Sequence, residues 1–102
     1  MAFDELKSTF DWKFQQWNRD TRFLSGGFDD HPSHRWMIKQ GEAILPLIFE
    51  HMLMNGVFVG WFDVLDEIAD DLPVDREDWG KVAVIQWAWL NWAIDHGYLK
   101  LR

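Results

Sequence analysis

Apolar residues return at helical spacing along most of this 102-residue chain. Between residues 3 and 22, Phe3, Leu6, Phe10, Phe14 and Trp17 recur every three or four positions, which is the period of one helix face. Trp12 falls off that stripe. The stretch LSGGFDD, 24–30, carries turn chemistry and predicts a loop. Proline is tolerated in the first turn of a helix, so Pro32 opens the next one, with Asp30 or His31 at its cap. That helix runs to Gln40, and Gly41 can supply a left-handed stop. Pro46 would break a helix interior, so the following helix, within 42–54, has its first turn near residues 43–46 and ends before Gly56.

Residues 57–70 predict a further amphipathic helix. Phe58, Trp61, Phe62, Leu65 and Ile68 share one side, and Asp63, Asp66, Glu67 and Asp70 follow the same spacing on the other. Leu72-Pro73 ends it. The last helix spans about Asp78 to His96, with Gly97 as its C-terminal stop and Tyr98 packing back. No alternating strand pattern occurs. The expectation is a single all-α domain over 1–102, a compact bundle of about five helices.

The last helix departs from the ordinary pattern. At 100° per residue, Val82, Ile85, Ala88, Trp89, Trp92 and His96 make one core face. Ala83, Trp87, Leu90 and Ile94 make a second apolar line opposite it. A helix apolar on two sides is either sandwiched within its own domain or presents one side to another chain. The second line, joined by Trp12, is the candidate partner-binding surface, because an exposed Trp is a frequent interface anchor.

Composition adds charge to this picture. Hydrophobic residues make up 48% of the chain, which supports a folded core rather than disorder. The net charge of −7 sits in one segment, 63–78. There Asp63, Asp66, Glu67, Asp70, Asp71, Asp75, Glu77 and Asp78 face the single base Arg76, and the charges elsewhere cancel. Such a surface repels phosphate, so direct nucleic-acid binding is not expected and a basic partner is favoured. With no Cys there is no disulfide or thiolate chemistry, which fits the cytoplasm. No apolar run reaches the length of a membrane span, and the acidic amphipathic start is unlike a signal peptide.

Catalytic and metal signatures are weak. His31 and His34 are three apart beside Asp29 and Asp30, but His31 before proline reads more simply as a cap whose ring satisfies backbone groups. The carboxylates of 63–78 read as a solvated stripe rather than an acid–base pair. Ser25-Gly26-Gly27 lacks the strand–turn–helix setting of a nucleophile elbow. The expectation is no catalytic residues, no metal, no cofactor and no enzyme.

The order of motifs resembles that of a largely uncharacterised family of small bacterial and phage-associated helical proteins. Their pattern runs W-x-x-E/D-T-x-x-L-S, H-P-x-Y-x-x-I-I-x-x-G, P-L-I-L, H-W-F-W-A-L, P-V and A-W-L-x-W-x-x-x-x-G-Y. The matches here are Trp17, Asp20, Thr21, Leu24 and Ser25, then His31, Pro32, Ile38 and Gly41, then Pro46, Leu47 and Ile48. Trp61, Phe62, Leu65, Pro73 and Val74 follow, then Ala88, Trp89, Leu90, Trp92, Gly97 and Tyr98. His34 stands where that pattern has Tyr, and Asp63 interrupts its aromatic segment. The pair 32–40 and 42–54 is also similar to one HEAT-like hairpin. The resemblance implies a helical fold and carries over no established enzymatic activity. It leaves Trp87 outside the shared pattern, which favours a surface role for that ring. The function expected is a protein-binding regulator, an inhibitor of a partner in antitoxin-like or phage counter-defence fashion. The alternatives are an acidic nucleic-acid mimic acting through 63–78 upon a basic protein such as a toxin or defence nuclease, and a self-associating structural protein.

Overall fold

The computed structural model describes residues 3–21, 31–56, 58, 60–69, 73 and 80–99. These form α1 (Phe3–Thr21), α2 (Pro32–Gln40), α3 (Leu45–Asn55), α4 (Gly60–Ala69) and α5 (Val82–Asp95). A 3-10 turn, Gly41–Ile44, joins α2 to α3. No strand occurs among the described residues, so the fold is all-α. No described helix is long and apolar enough to cross a membrane. The loop expected at 24–30 lies outside the described residues.

Local chemistry sets the helix ends. The first turn of α1 carries Asp4 and Glu5 and its last turn Arg19, each sign matched to the helix dipole. Thr21 at its end donates from Oγ1 to the Trp17 carbonyl at 2.6 Å. His31 caps α2: its Nδ1 accepts from the Ser33 backbone N–H at 3.0 Å, with Pro32 in the first turn. Gly41 (φ 61°) closes α2, and Pro46 lies in the first turn of α3. α5 begins at Val82, later than Asp78, because Gly80 is in a turn and Lys81 is extended. At its far end Gly97 (φ 79°) donates to the Ile94 carbonyl and Tyr98 to that of Ala93. Those two bonds form a Schellman stop, which needs a left-handed residue between helix and chain.

Two aromatic groups hold the helices. In the first, the α1 stripe packs on Trp61 of α4. Phe10 and Phe14 stack on that indole with centroids 5.3 and 5.4 Å away, and Trp17 meets it edge-on at 5.5 Å. The approach is close enough that a Cβ on Gly60 would lie 2.8 Å from Trp17 Cζ2 and 2.6 Å from Phe58 Cε2. Only glycine fits there without displacement. In the second group, Phe49 of α3 meets Trp92 and Tyr98, and Trp89 meets Trp92 edge-on. Met37, Ile44, Ile48, Val64 and Leu65, all buried, fill the space between. Ser33 Oγ donates to the Lys13 carbonyl at 2.8 Å and ties α2 to α1.

Candidate functional site

α5 has more apolar surface than its contacts hide. Its buried residues are Trp89, Leu90 and Ala93, held against α3. The outward side carries Ala83, Val84, Trp87, Asn91 and Ile94, all exposed. Trp87 is 65% exposed and Ile94 36%. The outward line therefore differs from the expected one at a named position. Leu90 is only 7% exposed and belongs to the core, so it is not available to a partner. Val84 takes a place on the outer side instead. The expected inner face shifts as well: Val82 and His96 are exposed. A helix apolar all round has no sequence-defined inner side, so the Phe49 and Tyr98 rings decide its rotation.

Trp12 is 55% exposed on α1, with the Lys13 ammonium 5.5 Å above its ring. α1 packs chiefly on α2, and α5 on α3.

Of the acidic segment, Asp63, Asp66 and Glu67 project from α4 and are exposed. Asp70, Asp71, Asp75, Glu77 and Asp78 lie outside the described residues. The three α4 carboxylates and His34 of α2 line a recess of about 460 Å³. It continues into a groove of about 660 Å³ lined by His34, Arg35, Trp36, Ile38 and Lys39 of α2 and Glu67 of α4. Sequence reading missed this groove, because it joins residues about thirty positions apart through the packing of α2 on α4. His34 is 7% exposed, and its ring meets Trp17 edge-on at 5.8 Å. Its Nε2 is buried and has no hydrogen-bond partner among the described residues. Asp63 Oδ2 lies 3.4 Å away but is not aligned as an acceptor.

Two other histidines have structural tasks. His31 Nε2 sits 2.8 Å from Asp20 Oδ2 while Nδ1 caps α2. The hydrogen bond from His31, aided by Arg19 and opposed by desolvation, holds the Asp20 carboxyl below its ordinary 3.8. His51 of α3 lies against Phe14 with centroids 4.1 Å apart, and the Trp61 indole N–H donates to its Nδ1 at 3.4 Å. Burial pushes the His51 imidazole below its ordinary 6.5, with Asp11 pulling weakly the other way. Neither arrangement places His31 with His34 as shared metal ligands, and no group of three His, Asp or Glu among the described residues is placed to hold a metal ion.

Comparison with protein-family models, curated proteins and solved structures finds no match to this chain.

Proposed function

We propose that this protein is a non-enzymatic protein-binding regulator whose anchor is the outward face of α5. The observation that carries this reading is Trp87, an indole two-thirds exposed between Ala83 and Val84 on one side and Ile94 on the other. Leaving that ring in water wastes apolar burial that a small domain needs. Trp is also the residue type most enriched among interface hot spots. The occupant is a protein surface with an apolar pocket and a basic surround, because the carboxylates of 63–78 account for the whole net charge of −7. Inhibition of that partner, in antitoxin-like or counter-defence fashion, is the role that small size and acidity favour. The α2–α3 pair would then act as a HEAT-like hairpin frame that carries α5.

The test is affinity capture from the source cells with the wild-type chain and with Trp87→Ala, each at low and high salt. The same partner should be retained by the wild type, lost by the variant, and retained less at high salt. Capture unaffected by the variant but abolished by salt would favour the acidic-mimic reading, in which 63–78 alone does the docking. A concentration-dependent dimer lost in Trp87→Ala would make the partner a second copy of this chain.

A further inference from the structure

A second surface has chemistry independent of the α5 reading. In the groove between α2 and α4, three exposed carboxylates meet one buried nitrogen that makes no hydrogen bond. Asp63, Asp66 and Glu67, all exposed, line the acidic end together with the buried His34. His34 Nε2 and Asp63 Oδ2 face each other at 3.4 Å without a hydrogen bond. A buried nitrogen left in that condition costs free energy that an incoming donor would recover. An incoming N–H group can donate to the exposed Asp63 carboxylate beside it. The adjoining apolar stretch, Trp36 and Ile38, is half-buried and continuous with the acidic end through His34 and Glu67.

We infer that this groove seats an arginine side chain of a partner peptide, its guanidinium among Asp63, Asp66, Glu67 and His34 and its aliphatic stem along Trp36 and Ile38. A guanidinium fits better than an ammonium. It presents five donors in a planar fork, pairs with carboxylates two bonds at a time and stacks on an indole. A bare metal ion fits worse, since the acidic groups are not placed to share one. Arg35 and Lys39 also line the groove, so its favourable place for a cation is the end where Asp63, Asp66 and Glu67 gather.

The experiment follows the Trp36 indole and His34 imidazole NMR signals of the full chain during titration with N-acetyl-arginine amide. Both signals should shift saturably, and affinity should fall as ionic strength rises. N-acetyl-lysine amide should bind at least tenfold more weakly, and N-acetyl-norleucine amide should leave the signals unmoved. The double variant Asp66→Asn, Glu67→Gln should weaken arginine binding at least tenfold, while Trp87→Ala leaves it unchanged. Equal binding of lysine or norleucine, arginine affinity independent of salt, or undiminished affinity in the double variant would overturn the assignment. Failure here leaves the α5 face untouched, and failure there leaves this groove untouched.

Discussion

Asp20 and His31, eleven positions apart, join the end of α1 to the start of α2 through one 2.8 Å hydrogen bond. The direction of the bond follows from the cap. Because Nδ1 of His31 accepts from the Ser33 N–H, the neutral ring carries its proton on Nε2 and donates it to Asp20. His31→Ala removes cap and link together, and should cost about 1 kcal/mol or more in urea unfolding. His31→Asn keeps a capping oxygen and should lose less. Asp20 has a signed pH signature. Its folded-state carboxyl is held below 3.8, so its contribution is present above that value and fades as pH falls through the lower one. Asp20→Asn should therefore remove part of the acid limb below its ordinary 3.8, with little change in the neutral-pH slope.

His51 acts in the same direction, at higher pH. The folded chain keeps this imidazole neutral, while the unfolded chain takes up a proton below about 6.5. Stability should fall as pH drops from 6.5 toward the depressed folded value, then level off. A proton on Nδ1 would also displace the Trp61 indole N–H, which is buried. His51→Gln keeps an acceptor for that indole and should flatten this segment of the curve. The check is denaturant unfolding between pH 7.5 and 4.5, and an unchanged slope would remove His51 from the account.

Gly60→Ala tests the closest helix approach in the first aromatic group. The added methyl would meet Trp17 and Phe58 well inside contact distance. Relief requires shifting a buried indole, so a loss of about 1–3 kcal/mol is expected by thermal or urea unfolding. Gly80→Ala, which meets no neighbouring atom within 4 Å, is the control and should not show an overpacking loss.

Trp87 and Trp89 are two positions apart on α5 and should respond in opposite ways to truncation. Trp89 is buried, and its replacement by Ala should cost about 3–5 kcal/mol, close to the whole stability of a small domain. Trp87→Ala should stay within about 0.5 kcal/mol of wild type, as a surface change does. Matching melting curves for both variants would place both rings in the core.

Much of the fold was legible residue by residue. The α1 stripe is periodic, and Leu6, Phe10 and Trp17 are indeed buried. The punctuation at Pro32, Gly41, Pro46 and Gly97 stands where helices begin and end, and the reading of His31 as a cap agrees with its bond to Ser33. The rotation of α5 was not legible. Its apolar residues encircle the axis, so only its neighbours distinguish Leu90, which is covered, from Val84, which is not. The α2–α4 groove was hidden for another reason. No local pattern links His34 to Asp63, and only tertiary packing sets them 3.4 Å apart.

The central claim is that the outward face of α5 binds a protein, and calorimetric titration of the captured partner with wild type and Trp87→Ala tests it most directly. The account predicts a loss of about 2 kcal/mol, or roughly thirtyfold in Kd, from a variant that remains folded. Equal affinity in a folded Trp87→Ala would contradict it.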